Sequence, residues 1–402
     1  MKPFSLLIKP ASADCNLRCQ YCFYIDHLET VENQPRMSED ILESMIAGYM
    51  QTNQNNSYAF GWQGGEPTMM GLKFFKKVVE LQTKYAPPNA VISNGLQTNG
   101  TLITNDMAEF FAEYRFLIGV SLDGPEYLHD FYRKTIGLKG THSQVLRGIN
   151  HLRKNNVEFN ILSLVNNKTV KRASEIYHYL KDQGFFYHQY IPCVEFDEQG
   201  NLKQFSITGK DWGDFLCDLF DEWIKEDTNK VSIRLFDSII NYLVLGNYSI
   251  CYMDNNCCQY FVVEYQGNIY PCDFFVRDSL LLGNVKTHNW IDILNSETYQ
   301  TFGAQKTQFN NQCNDCPFIN FCHGDCQKHR FNPLQNPKAL SILCRGWKKF
   351  YVNTLPRFKA MANQIKNDGK LNSSFQFKAK KIGRNSLCPC LSGKKYKDCC
   401  FR

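Results

Sequence analysis

Apolar and polar positions change period in a regular order along the first half of the chain. A short apolar run at 4–9 reads as a strand. The stretch after Ser38 carries apolar residues at helical spacing, with Ser38 as its cap. Strand-like runs then fall at 58–62, 91–96, 116–122, 158–165 and 186–191, and helical periodicity at 72–85, 106–114, 143–154 and 173–183. Six strands alternating with helices predict a parallel sheet, and polar or Gly-rich residues cluster where each strand ends. In a βα barrel those ends open on one face, the face that holds active sites. Residues 15–22, 63–66, 97–99, 121–123 and 166–167 are therefore expected to converge. Each of these stretches taken singly is also ordinary turn chemistry.

The second half is patterned differently. Two amphipathic helices, at 211–225 and 234–245, read as packing elements. Residues 261–272 read as a hairpin turning at Gln266-Gly-Asn268, with Cys272 at the end of its second strand. A helix is expected at 347–366. Beyond it, 367–384 is polar and basic without periodicity and reads as a linker. The expected division is a barrel over 1–230, a cysteine-rich α+β extension over 231–366, the linker, and a tail over 385–402.

Composition narrows the classes. At 402 residues the chain can hold two or three domains, and its 43% hydrophobic and 21% charged content is that of a globular protein. No apolar run approaches the roughly 18 residues of a membrane span, and the first residues are too short for a signal peptide, so a cytoplasmic location without membrane contact is expected. Residues 378–402 carry eight Lys/Arg against one Asp, which leaves the rest near −1 of the total +6. The basic signal belongs to the tail, and the main body makes no electrostatic case for nucleic acid. Eighteen cysteines in a reducing compartment point to metal ligation rather than disulfides.

Their spacing says which metals. Cys15, Cys19 and Cys22 form C-x3-C-x2-C after the first strand. Three thiolates suggest a centre with an open position, such as a [4Fe–4S] cluster with one iron left for a non-protein ligand. A zinc site completed by His27, or three unrelated core thiols, are the alternatives. A second region opens with Cys251, Cys257 and Cys258, then Cys272, and continues as Cys313-x2-Cys316-x5-Cys322-x3-Cys326 and Cys344. Zinc knuckles also fit part of it. Cys193 and Cys217 read as core thiols. Cys388, Cys390, Cys399 and Cys400 form C-x-C-x8-C-C, a closed four-ligand set in a segment too short to bury a core.

C-x3-C-x2-C beside Tyr21, with Gly64-Gly65-Glu66-Pro67 after the second strand, resembles the radical S-adenosylmethionine (SAM) enzymes. That resemblance implies a partial (β/α)6 barrel, with SAM bound through its amino and carboxylate groups on the open iron. It also implies SAM contacts from Tyr21, Gly64, Gly65, Glu66, Ser121, Arg133 and Val194. Arg133 by itself reads equally as a helix-surface charge. The second cysteine region resembles the SPASM domain, which implies two auxiliary [4Fe–4S] clusters. One would be held by Cys251, Cys257, Cys272 and Cys326, with Cys258 a possible substitute for Cys257. The other would be held by Cys313, Cys316, Cys322 and Cys344. The tail resembles the SEC-C motif, which implies Zn2+ on Cys388, Cys390, Cys399 and Cys400.

The span to about residue 357 is similar to anaerobic sulfatase-maturating enzymes, through the motifs above together with Gln97-Thr-Asn-Gly100, Val120-Ser-Leu-Asp-Gly-Pro125, Cys272-Asp273 and Cys322-His-Gly-Asp-Cys326. Such enzymes oxidise a cysteine or serine in a C/S-x-P-x-R segment of a sulfatase to formylglycine. A 5′-deoxyadenosyl radical from SAM takes a hydrogen from the target Cβ. Loss of the neighbouring thiol or hydroxyl proton to a base, Asp273 by resemblance, then helps a second electron leave for an auxiliary cluster. Gln63 and Tyr24 are expected to touch the peptide. Flavodoxin or ferredoxin is the expected electron donor, and the protein is expected to be a monomer. Two other classes stay open: a SPASM maturase forming a thioether crosslink in a ribosomal peptide, and a non-catalytic metal-binding or partner-docking protein, which the tail could suggest.

Overall fold

The computed structural model describes residues 3–25, 36–52, 54–330, 336, 338–371 and 395, with residues 369–371 as backbone only. His27, the expected linker beyond residue 371 and the four tail cysteines lie outside them. Among the described residues, ten strands form one sheet. They are β1 (Ser5–Lys9), β2 (Ser57–Trp62), β3 (Val91–Thr98), β4 (Leu117–Ser121), β5 (Phe159–Val165), β6 (Tyr187–Pro192), β7 (Ser232–Ile233), β8 (Tyr260–Glu264), β9 (Asn268–Tyr270) and β10 (Gly283–Asn284), in the order β10-β9-β8-β1-β2-β3-β4-β5-β6-β7. The expected six parallel strands are β1 to β6, each paired with the next.

The helices form where caps and apolar stripes coincide. Ser38 Oγ accepts from the Ile41 N–H at the start of Glu39–Met50, and Leu42, Met45, Ile46 and Tyr49 face the core. Thr208 and Asp211 close a reciprocal capping box at Gly209–Glu226. Along β5 the period of two divides the strand, with Ile161 and Val165 buried beneath the helices while Leu162 and Leu164 face a central cavity.

Two features were not legible in the pattern. β8 pairs in parallel with β1, Leu6 opposite Phe261 and Ile8 opposite Val263, so the hairpin of the extension continues the barrel sheet. Phe4 and Phe261 meet edge to face at 5.0 Å, and one buried core runs from Phe4 to Phe358 across the expected boundary at 230/231. The last helix, expected at 347–366, spans Cys344–Leu371 and so takes in residues 367–371, expected to open the linker. It lies close on Gly209–Glu226, because a Cβ at Gly346 would stand 2.1 Å from the Gly209 carbonyl oxygen. That approach, with Phe220 and Phe358 at 4.8 Å, brings Cys344 and Trp347 onto the wall of one small cavity.

Candidate active site

Strand ends from β1 to β6 and segments of the extension enclose one cavity of about 650 Å³. Cys15, Cys19 and Cys22 all line it, with Tyr21 between the last two. Burial pushes the Cys15 thiol up to about 12, with Glu66 adding to it, and the Cys19 thiol up to about 11 against the pull of Arg133. A bare thiolate is disfavoured in such a place unless a cation takes its charge, which suits a metal centre. Asn99 Nδ2 lies 3.7 Å from Cys15 Sγ and donates to Asn16 Oδ1 at 2.9 Å, tying the end of β3 to the thiol loop.

The turn after β2 packs on that loop. Gly65 N–H donates to the Ser12 carbonyl at 2.5 Å and Glu66 N–H to that of Asp14 at 2.8 Å. A Cβ on Gly65 would lie 2.0 Å from the Asp14 oxygen, and Gly64 has φ +130°. These glycines are thus required by the approach of two loops, whatever ligand binds. Gln63, Gly64 and Gly65 line the cavity, whereas Glu66 does not. The Glu66 carboxylate is wholly buried and accepts from Thr68 N–H, Thr68 Oγ1, Thr98 Oγ1 and Asn99 N–H at 2.6–3.0 Å. Glu66, expected as a SAM contact, thus joins β2 to β3 through these bonds and stands behind the glycines that line the wall.

Ser121 and Arg133 line the cavity, and Gln97 Nε2 donates to Ser121 Oγ at 3.2 Å. Arg133 is 8% exposed and forms a two-pronged pair with buried Asp123, Nε to Oδ2 at 2.9 Å and Nη2 to Oδ1 at 3.2 Å. It is no surface charge. Burial opposes ionisation of Asp123, yet the guanidinium holds its carboxyl below the usual range, and the Tyr21 hydroxyl donates to Oδ2. Asp123 itself stands behind the wall, and Asn166 and Asn167 also fail to converge on the cavity. They are used locally: Asn166 closes a turn with Lys168 and Thr169, and Asn167 accepts from Tyr132. Val194 is buried in the core, with neighbours Cys193 and Glu195 on the cavity wall instead.

From the extension come Cys251, Cys326 and Asp273. Asp273 is 7% exposed, and Tyr260 Oη donates to its Oδ1 at 3.0 Å while lying 3.4 Å from Cys272 Sγ. Tyr24, expected to touch the peptide, is not among the residues on the cavity wall, though its neighbour Phe23 is. The Tyr24 ring is buried under the Lys9 ammonium at 3.8 Å, and its hydroxyl donates to Glu264 at the end of β8.

Of the nine thiols of the extension, eight fall into two groups by mutual influence. Burial, then Cys251 and Cys257 among its neighbours, pushes the Cys326 thiol up to about 12, and Cys326 in turn raises Cys272. Cys313, Cys316, Cys322 and Cys344 line one small cavity of about 20 Å³. Gln327 Nε2 donates to Cys257 Sγ at 3.2 Å, whereas Cys258 Sγ points to the Tyr299 carbonyl at 3.3 Å. The donor sets fit iron–sulfur clusters: three thiols on the main cavity, and two further groups of four in the extension, one of which reaches that cavity through Cys251 and Cys326. Among the described residues no three His, Cys, Asp or Glu side chains converge closely enough to hold a single metal ion.

Cavity residues that sequence reasoning missed include Glu195, Lys328, Arg234 and Tyr260. Lys328 pairs with Glu195 across the wall and lies over the Phe274 ring at 4.3 Å. Glu195 follows the end of β6 and was accessible to the strand-end argument. Tyr260 was not, since its place depends on β8 joining β1.

A partial α/β barrel with three thiols on its open cavity and a thiol-rich extension defines a radical SAM enzyme with an iron–sulfur cluster-binding domain. The profile of the Radical SAM superfamily matches residues 10–180, that of the iron–sulfur cluster-binding SPASM domain residues 251–317, and that of the SEC-C motif residues 384–402. A serine-type anaerobic sulfatase-maturating enzyme of Bacteroides thetaiotaomicron is 36% identical over 91% of this chain and 93% of its own. A cysteine-type anaerobic sulfatase-maturating enzyme of Clostridium perfringens is 38% identical over 91% of this chain and 100% of its own. The structure of native anSMEcpe with bound AdoMet superposes with a TM-score of 0.85 at 38% identity, covering 90% of this chain and 100% of that one, and it is also known with a bound Cp18Cys peptide. The chain belongs to the anaerobic sulfatase-maturating enzymes.

Proposed function

We propose that this protein oxidises a cysteine or serine in a C/S-x-P-x-R segment of a sulfatase to formylglycine. The observation that carries the reading is that Asp273 and the three thiols of Cys15, Cys19 and Cys22 line one cavity, with Gln63 and Gly65 on the same wall. Tyr21, Gly64, Gly65, Ser121 and Arg133 are the residues proposed to hold SAM. Asp123 gives Arg133 a fixed orientation and Tyr21 a hydrogen-bonded anchor, so these side chains are set before any ligand arrives. When bound, SAM on the first cluster supplies the radical that removes hydrogen from the target Cβ, and the auxiliary clusters take up the second electron.

Asp273 is proposed to take the thiol or hydroxyl proton as that electron leaves. Tyr260 leaves one carboxylate oxygen free for this by donating to the other. Gln63, on the cavity wall, is proposed to receive the peptide backbone by amide hydrogen bonding. Cys251, Cys257, Cys272 and Cys326 are assigned to one auxiliary [4Fe–4S] cluster and Cys313, Cys316, Cys322 and Cys344 to the other, which makes three clusters with the first. One Zn2+ is assigned to the tail. A flavodoxin or ferredoxin donor, a monomeric state and a cytoplasmic location complete the reading. No helix among the described residues is long and apolar enough to cross a membrane.

The test uses anaerobically reconstituted protein with SAM, a chemical reductant and two peptides carrying C-x-P-x-R or S-x-P-x-R. Mass spectrometry should find formylglycine in at least one peptide, and iron should approach about twelve per chain, as three four-iron clusters require. SAM cleavage without formylglycine in either peptide would overturn the reading.

A further inference from the structure

Lys306 and Arg330 are buried cations with no part in the chemistry above. Lys306 is wholly buried, and its ammonium donates to the carbonyls of Tyr252 at 3.0 Å, Cys322 at 3.5 Å and Asp325. Three acceptors match the three N–H donors of the protonated side chain. Arg330, 3% exposed, donates to the Lys306 carbonyl at 3.0 Å and that of Gln308 at 3.4 Å. Through these carbonyls the stack is bonded to the backbone of both thiol sets. Tyr252 follows Cys251, Asp325 precedes Cys326, and Cys322 belongs to the other set. Burial pulls both cations below their usual values, and neighbouring thiols oppose it, Cys257 and Cys326 on Lys306 and Cys257, Cys326 and Cys313 on Arg330, so the carbonyl acceptors around Lys306 are what hold its charge. The Asp325 carboxylate acts on both cations; its Oδ2 accepts from Ser341 at 2.6 Å and lies 2.9 Å from His329 Nδ1, and it offsets one of the two positive charges.

We propose that Lys306, together with Arg330, is a positioning residue for charge that raises the reduction potentials of the auxiliary clusters. The inference rests on the assignment of these thiols to two four-cysteine sets. A four-thiolate cluster is anionic and becomes more so when it gains an electron, so a fixed cation beside it favours the reduced form. Net charge, hydrogen bonds to sulfur and solvent exposure are the protein's means of setting such potentials. In the interior a charge at this range acts far more strongly than one on the surface, where water and salt screen it. In the proposed reaction the substrate radical loses one electron, its thiol or hydroxyl proton passes to Asp273, and a cluster is reduced by that electron. The buried cations lower the cost of placing that electron. Gln327, donating to Cys257 Sγ, acts in the same direction.

The experiment is a potentiometric titration followed by EPR on reconstituted holoenzyme, as wild type, Lys306→Met and Arg330→Gln, with iron measured in each. At the wild-type midpoint of the auxiliary clusters, the ratio of reduced to oxidised cluster should fall at least about tenfold in Lys306→Met, which is about 59 mV downward for a one-electron couple. A smaller fall is expected in Arg330→Gln, and the first cluster should not move. Wild-type iron far below about twelve would overturn the ligand assignment and this proposal with it. Full iron with unmoved midpoints in both variants would overturn the proposal alone. So would iron loss in both variants, since the cations would then be holding the fold and not the potential.

Discussion

Asp123 and Asp273 are both buried carboxylates that accept from a tyrosine hydroxyl, and their surroundings give them different work. Asp123 faces a guanidinium and no cavity. Asp273 faces the cavity, and among the described residues no cation is paired to it. Asp273→Asn keeps the acceptor for Tyr260 but cannot take a proton, so SAM should still be cleaved with peptide present. Formylglycine per SAM consumed should fall by roughly 10²- to 10⁴-fold, the usual loss of a general base. An unchanged ratio by mass spectrometry would place the proton elsewhere. Asp123→Asn strands Arg133 without its partner and should cost about 3–5 kcal/mol in denaturant unfolding at neutral pH. Because the folded carboxyl titrates below its unfolded value, this stabilisation is present above the unfolded pKa and is lost as pH falls through the folded one. The gap between wild type and Asp123→Asn should therefore close only in strong acid.

Among elements, the 63–66 turn shows how far pattern reading reaches. The strand before it and the helix after it were legible in their periods, and so was a turn. What each side chain faces was not, because Glu66 could point to a ligand or back into the protein with the same sequence. Gly65→Ala tests the packing account. The added Cβ meets the Asp14 carbonyl at 2.0 Å, so the thiol loop must shift. The expected result is loss of about a third of the iron and of SAM binding by calorimetry, with the extension's clusters retained. Full iron and wild-type SAM affinity would show that the loop gives way at no cost.

At the scale of the whole molecule, the extension is continuous with the barrel through β8 on β1, whereas the tail follows the last helix through an expected linker and carries its own proposed metal. A chain truncated after residue 371 should keep turnover on a short peptide and lose the zinc. Its basic charge suggests docking to an acidic partner, with affinity that falls as salt rises. Loss of peptide turnover with full cluster content, measured on the truncated protein, would assign the tail to catalysis.

The sequence by itself determined the alternation of strand and helix, the strand-end location of the site and the number and spacing of its thiols, because periodicity and ligand spacing are local properties of the chain. It did not determine which polar side chains face the cavity. Glu66, Tyr24, Asn166 and Asn167 were expected there and are engaged elsewhere, since a hydrogen-bonding group goes to whichever partner folding brings within reach. The union of hairpin and barrel, and the burial of Lys306 and Arg330 between thiols far apart in sequence, were decided only by tertiary structure. Parallel pairing of Leu6 with Phe261 leaves no local signal, and a lysine's charge acquires its effect from the atoms that exclude water around it.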